Sequence, residues 1–111
     1  MNKLHYSMES RNDLAAIKEY IGVELANPDA AKNTMVKITK RIRDLKRFAE
    51  IGSPLSSIID IDTDYRFLVC GNYLVFYRAV VNDVYIDRVL YGRRDYLAIL
   101  FGRALPDGDM E

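Results

Sequence analysis

The sequence predicts a single α+β domain in which an N-terminal helical hairpin packs on a C-terminal antiparallel β-sheet. In the first half of the 111-residue chain, apolar residues recur at helical spacing. In the second half, aromatic and β-branched residues form short runs separated by two-residue turns. The apolar stripes of the helices need a surface to cover, and one face of the sheet supplies it. We expect a core over residues 3–101 and a flexible tail over residues 102–111.

The first half begins with a candidate opening strand, Lys3 to Tyr6. Either Ser7 or Ser10 can cap the helix that follows, and Ser10 with Asp13 fits a capping box. Apolar residues then recur at helical spacing: Leu14, Ile17, Ile21 and Leu25. This spacing predicts the first helix.

A second helix is predicted to start at Asn27-Pro28-Asp29. Asparagine is a good N-cap, proline fits the first turn, and aspartate complements the positive end of the helix. The apolar residues that follow at steps of four and three are Ala31, Met35, Ile38, Ile42, Leu45 and Ala49. They predict a helix over about residues 28–49, antiparallel to the first because the connection is short.

Three strands make up the predicted sheet: Tyr65 to Cys70, Tyr73 to Val81, and Val84 to Tyr91. The two-residue turns Gly71-Asn72 and Asn82-Asp83 join them into an antiparallel meander. The middle strand is apolar on both faces and is therefore expected to be central. Residues 55–64 fit no clear pattern beyond extended chain, and Asp95 to Phe101 is expected to form a short helical turn.

Composition limits the functional classes. No apolar run is long enough to span a membrane, and the first nine residues lack the apolar centre of a signal peptide. The single cysteine, Cys70, is expected in the core, and the chain is expected to be cytoplasmic. The only histidine, His5, lacks partners for a metal site, so neither a metal nor another cofactor is expected.

Charge is balanced overall but not locally. The 16 basic and 16 acidic residues argue against a protein that grips nucleic acid by bulk charge alone. Residues 37–47 are nevertheless strongly basic. Such a run is most often the solvated face of an amphipathic helix, although it could also meet an acidic partner.

Arginines and tyrosines concentrate in the sheet. Counting across the turns places Arg66 opposite Tyr77 and Arg78 opposite Asp87. One interpretation is a set of cross-strand ion pairs on an exposed face. The other is a cationic contact surface that includes Tyr73, Tyr77, Tyr91, Arg93, Arg94 and Tyr96. Composition alone does not decide between them.

The motifs that carry a family resemblance lie in order along the chain. In the sheet they are Tyr65-Arg66, the run Gly71 to Arg78, and the run Arg88 to Tyr96. Near the start they are Tyr6-Ser7, Asp13-Leu14, Ile17, Tyr20-Ile21, Pro28 and Ala31. From about Leu4 to Phe101 the chain resembles the RelE/ParE superfamily of bacterial toxins. The resemblance implies a growth-inhibiting, plasmid-stabilising toxin that a cognate antitoxin holds inactive, in a complex that can be a toxin–antitoxin heterotetramer.

The resemblance leaves the target open between DNA gyrase, for ParE-like members, and ribosome-bound mRNA, for RelE-like endonucleases. Where RelE-like enzymes carry an arginine in the central strand, this chain has Leu74, and their late tyrosine falls near Leu100. The histidine that some members carry before the glycine is Tyr91. Whether the chain is an enzyme at all therefore stays open, and a non-toxic member that merely binds a partner is a third alternative.

These departures favour the ParE-like branch. The residues expected to bind the target are then Tyr91, Arg93, Arg94, Asp95 and Tyr96. If the chain is instead a nuclease, its candidate catalytic residues are Arg66, Arg78, Arg93, Arg94 and Tyr96. An RNase that works without a metal needs cations for the developing phosphate charge and groups that move protons.

Overall fold

The computed structural model describes residues 1–102, and its helices follow the predicted order. Helix α1 spans Met8–Glu19 and continues as a π-helical turn over Tyr20–Glu24. Helix α2 spans Pro28–Asp44 and lies beside it. Apart from Gly102, the predicted tail lies outside the described residues. Within residues 1–102, no helix has the length and apolar character needed to cross a membrane.

Local signals at the helix ends were partly right. Asn27 caps α2, because its side-chain oxygen accepts from the backbone N–H of Ala30 at 3.1 Å. Helix α1 is capped by Ser7, whose hydroxyl accepts from the N–H of Ser10 at 2.9 Å. The capping box of Ser10 and Asp13 was wrong, because Asp13 lies inside the helix and turns to the sheet.

Helix α2 ends at Asp44, five residues before the predicted end. The chain leaves the helix in turns, yet Leu45 is fully buried and Ala49 packs against the same core. Asn2 accounts for part of this change of direction, since its backbone N–H donates to Lys46 O at 2.8 Å and its side chain donates to Leu45 O at 3.0 Å. Leu45 and Ala49 keep the apolar spacing of the helix although they lie beyond its end, because core packing and not helical geometry holds them.

Five strands form one mixed sheet. Strands β3 (Arg66–Cys70), β4 (Tyr73–Val80) and β5 (Asp83–Tyr91) are the predicted antiparallel meander, with β4 in the centre. The opening strand β1 (Lys3–Tyr6) pairs parallel to β5 at one edge. The short strand β2 (Ser53–Pro54) pairs antiparallel to β3 at the other.

The first turn was predicted correctly and the second was not. Cys70 pairs with Tyr73 and Arg66 with Tyr77, as expected from the Gly71-Asn72 turn. The second turn is Val81-Asn82, so Arg78 pairs with Tyr85 instead of Asp87. Moving a turn by one residue shifts the cross-strand register by two, which leaves every side chain between the turn and the bulge of β5 on its face. The apolar pattern therefore could not distinguish these two registers.

The sheet carries a core on each face. The face covered by α1 and α2, here called the helix face, holds the larger core, with the buried residues Ile38, Ile42, Leu45, Leu68, Cys70, Val75, Tyr77, Val84, Ile86 and Val89. On the other side, here called the opposite face, Leu55, Phe76 and Leu90 form a smaller core. Helix α3 (Tyr96–Phe101) and a 3₁₀ turn at Leu55–Ser57 cover this smaller core. Helix α3 is the short helix expected from the sequence.

Candidate target-binding site

The segment that follows β5 presents two adjacent arginines to solvent. Gly92 donates its N–H to Asn72 O at 2.8 Å, and Arg94 donates its N–H to Tyr91 O at 3.0 Å. A side chain at Gly92 would place its Cβ 3.3 Å from Asn72 O, so glycine allows the close approach of the two loops. The resulting turn holds Arg93 and Arg94 with exposed side chains.

The turn is anchored on its C-terminal side by α3. Asp95 caps this helix, because its carboxylate accepts from the N–H of Ala98 at 3.2 Å. The ring of Tyr96 lies against that of Phe76, with 5.2 Å between ring centroids and 32° between planes. Tyr96 thus packs in the core of the opposite face, while the arginines before it stay outside. The five predicted target-binding residues therefore divide into the arginine pair, the two anchors Asp95 and Tyr96, and Tyr91 at the end of β5.

A groove of about 750 Å³ lies between the helical hairpin and the ends of β4 and β5. Tyr91 and Arg94 belong to its wall on the sheet side, together with Asn72 and Tyr73. On the helical side its lining residues include Ala16, Ile17, Tyr20, Leu25, Ala30 and Thr34. The segment predicted from the sequence is thus one wall of a larger, mostly apolar groove.

Three tyrosines border this groove. The rings of Tyr73 and Tyr91 meet edge to face, with centroids 5.9 Å apart. Partial burial raises the pKa of Tyr73, with smaller contributions from Tyr91 and Tyr20. Tyrosines contribute strongly to protein interfaces because they bury a large ring and keep a hydroxyl for hydrogen bonding. The groove is therefore chemically suited to a protein segment.

The helical wall of the groove was missed in the sequence. Leu25 fits the apolar stripe of the first helix, but it lies in the structure with 55% of its surface exposed, and Tyr20 has 49% exposed. Tyr20 begins the π-helical turn and Leu25 directly follows it, and this turn changes the helical phase at the end of α1. The sequence signal for this wall was the apolar stripe of the first helix, which continues beyond the part of the helix that the sheet covers.

Asp13 holds α1 to the strand that leads into the segment. Its carboxylate accepts from Arg88 Nε and Nη2, each at 2.8 Å, and from the backbone N–H of Val89 at 2.9 Å. The N–H of Val89 lies past the end of β1, which pairs with β5 only as far as Ile86. Asp13 therefore replaces a strand partner at this edge and fixes the end of β5 against the helix.

The other two candidate catalytic arginines lie away from the segment. Arg66 shares the helix face with its partner Tyr77 and donates to Gly52 O and Glu50 O at 3.1 Å each. Along β3, Arg66 lies four residues, or about 13 Å, from Cys70. Cys70 pairs across the sheet with Tyr73, and Tyr73 pairs with Tyr91. The structure therefore brings Arg93, Arg94 and Tyr96 together but leaves Arg66 outside the group.

Arg78 belongs to a separate polar cluster on the opposite face. It pairs with Asp87, with 2.9 Å between Nε and Oδ2, even though the two are not direct strand partners. Asp87 lies at the bulge of β5 and is the diagonal neighbour of Arg78, two residues past Tyr85. Burial, followed by the charge and hydrogen bond of Asp87, raises the pKa of Tyr65 to about 12. The ion-pair interpretation of Arg78 is confirmed, although with a different register.

The arrangement of a helical hairpin on a β-meander is shared with solved structures. A solved structure described as the chromosomal ParDE TA system from P. aeruginosa shares the fold, with a TM-score of 0.68 and 22% identity over 82% of this chain and 96% of that chain. YafQ from E. coli strain BL21(DE3) matches with a TM-score of 0.50 and 16% identity over 92% of this chain and 100% of its own. No curated protein sequence shows significant similarity.

Residues 4–96 match the family described as the ParE toxin of the type II toxin-antitoxin system parDE. Because this match spans most of the chain, the protein belongs to the ParE toxin family. The resemblance found in the sequence, including the choice of the ParE-like branch, is confirmed.

Proposed function

We propose that this protein inhibits DNA gyrase through the segment Tyr91 to Tyr96, and that a cognate antitoxin neutralises it by occupying the adjacent groove. The observation that carries the proposal is the exposed pair Arg93 and Arg94. Within residues 1–102 neither side chain has an ion-pair partner. An arginine pair held on a short, anchored turn loses little conformational freedom on binding an acidic surface.

The groove supports the second part of the proposal. Its apolar lining and three tyrosines suit an amphipathic segment that inserts between helices and sheet. Arg94 lies at this groove, so an occupant also covers one of the two arginines. Neutralisation then follows from competition, because antitoxin and target need the same side chain.

The distribution of the candidate catalytic residues favours inhibition over RNA cleavage. A nuclease needs its cations around one phosphate. Arg66 and Arg78 lie on different faces of the sheet, and each is already engaged, by carbonyl oxygens or by Asp87. Only Arg93, Arg94 and Tyr96 remain together, and Tyr96 packs on Phe76.

The proposal is tested with purified protein and gyrase. Wild-type protein is expected to block supercoiling of relaxed plasmid or to accumulate gyrase-cleaved DNA, and the double variant Arg93→Ala, Arg94→Ala is expected to lose at least about ten-fold in potency, equivalent to about 1.4 kcal/mol. The matched control is Arg11→Ala, Lys18→Ala. It removes two exposed cations from the side of α1 turned away from the groove.

Three results would contradict the proposal. Equal potency of both double variants would remove the segment from target binding. Codon-spaced cuts in mRNA from a translation extract, with gyrase unaffected, would identify the endonuclease alternative. Normal growth after induced expression would identify a non-toxic member.

A further inference from the structure

The C-terminal half of α2 and the turn after it carry a surface that the proposed function does not use. Between residues 37 and 47, six basic side chains stand against the single acid Asp44. They define the basic face of α2: Lys37, Lys40, Arg41, Arg43, Lys46 and Arg47. All exposed residues of this stretch are charged. Because the whole chain has a net charge of zero, the rest of the protein carries the compensating negative charge.

The basic face is scarcely neutralised by the protein itself. Within residues 1–102 its only ion pair joins Arg41 to Asp44 at 4.0 Å, with both side chains about half exposed, and such pairs contribute little. The shorter arginine–aspartate pairs of the described chain lie elsewhere, at Arg78 and Arg88. The helix dipole favours cations only in the last turn, so it does not account for Lys37.

The basic face of α2 and the acidic stretch of residues 60–64 lie on different sides of the sheet. Helix α2 packs on the helix face through Ile38 and Ile42. The acidic stretch of residues 60–64 follows a turn that packs on the opposite face through Leu55 and Ile59. A polyanion bound to the basic face would therefore not meet the carboxylates of residues 60–64.

We infer that the basic face of α2 binds the phosphate backbone of double-stranded DNA. A protein partner needs apolar or aromatic anchors at the centre of its interface, whereas the exposed apolar residues Val36 and Phe48 stand at the two ends of residues 37–47 and none lies among them. Single-stranded nucleic acid is held largely by aromatic stacking, which this face also lacks. The exposed side of α2 and the turn after it instead present these cations on a helix about 10–12 Å wide, which matches the width of the B-DNA major groove, whereas the major groove of A-form RNA is too narrow.

Binding is expected to depend mainly on the phosphates and only weakly on the DNA sequence. Asparagine and glutamine, which read adenine, do not occur between residues 37 and 47, whereas arginine and lysine contact phosphates as well as guanine. Lysine and arginine at this density act mainly by releasing counterions from the phosphates. Affinity should therefore depend steeply on salt and little on base composition.

The basic face and the groove of the target-binding site lie at different ends of α2. Ala30 and Thr34 line that groove, whereas Arg43 and Lys46 line a second groove of about 690 Å³ beside β1. Along the helix, Ala30 and Arg43 are about 20 Å apart. DNA and a protein target can thus be bound together, and DNA binding can be measured without gyrase.

The test is fluorescence anisotropy of a labelled DNA duplex of mixed sequence with the full-length protein at increasing salt. If four phosphates are contacted, the slope of log affinity against log salt is about −3.6, so each doubling of salt weakens binding about twelve-fold. The double variant Lys40→Ala, Arg47→Ala should reduce the steepness of this slope by about 1.8. The control Arg11→Ala, Lys18→Ala makes the same change in net charge and should leave the slope unchanged. Circular dichroism confirms that both variants are folded.

Several results would overturn the inference. The two double variants could lose affinity equally, which would reduce the effect to net charge. The wild-type protein could fail to bind the duplex at low salt. An RNA duplex of equal length, or a poly-glutamate peptide, could bind as tightly as DNA at the same salt, which would reassign the face to RNA or to an acidic protein. None of these results would bear on the inhibition of gyrase.

Discussion

Replacing Asp13 tests how the protein fixes the strand that presents the arginine pair. The substitution Asp13→Ala removes all three hydrogen bonds that the carboxylate accepts from Arg88 and Val89. Only 11% of the Asp13 side chain and 25% of the Arg88 side chain are exposed, so the guanidinium would be left partly desolvated. Breaking a fully buried pair costs about 3–5 kcal/mol, and partial access of water to Arg88 places the expected loss near the lower limit, at about 3 kcal/mol.

The assay is urea unfolding, followed by circular dichroism. In urea, the free energy of unfolding of Asp13→Ala should be about 3 kcal/mol lower, with no change in the m value. For a domain of this size, 1 kcal/mol corresponds to about 4 °C, so in a thermal melt the Tm should be about 12 °C lower. Asp13→Asn keeps one acceptor and loses the charge, and we expect about half the effect. A double-mutant cycle with Arg88→Ala should give a coupling free energy of about 1.5–2 kcal/mol.

The matched control is Asp44→Ala, since Asp44 also faces an arginine but across an exposed 4.0 Å pair. It should cost less than about 1 kcal/mol. If Asp13→Ala cost no more than Asp44→Ala, the carboxylate would not fix the end of β5, and the presentation of the segment after it would need another explanation.

Two further predictions concern the loop before β2 and the polar cluster on the opposite face. Gly52→Ala would place its Cβ 2.6 Å from the hydroxyl of buried Tyr77 and 2.7 Å from Phe67 O. We therefore expect the free energy of unfolding, measured in urea, to fall by about 2–3 kcal/mol. A urea midpoint equal to that of the exposed control Ser53→Ala would contradict this prediction. Tyr65 should titrate near pH 12 instead of 10.0 because of burial and Asp87. A raised folded-state pKa means that its contribution to stability is complete below pH 10 and is lost as the pH rises toward 12. In a tyrosinate absorbance titration, Tyr65→Phe should remove the step at highest pH, and retention of that step would assign it to another tyrosine.

The elements that the sequence predicted well are those set by local chemistry. Asn27 and Pro28 start α2 as expected, because a capping side chain and a proline ring act on their own backbone. Gly71 supplies the positive φ of +61° that its turn requires. The exposed arginine pair was also predicted, since a glycine after a strand followed by two cations is a local signal.

The second hairpin shows where local chemistry gives no answer. Its turn places Val81, a β-branched residue, at a φ of +52°. That conformation disfavours valine, and the asparagine beside it made the other turn the better prediction. The strand pairing and the bulge at Asp87 outweigh this local cost, and neither is encoded within a few residues of the turn.

By itself the sequence determined the order of the helices and of the three strands of the meander, the central position of β4, the family, and residues of the segment Tyr91 to Tyr96 as a candidate contact. Only the tertiary structure decided what surrounds that segment. Tyr20 and Leu25 become walls of a groove, and Asp13 becomes the partner of a strand, through contacts between residues far apart in the chain. Periodicity in the sequence shows which side of a helix or strand is apolar. Packing of the whole chain decides which other element covers that side and how much of it is covered.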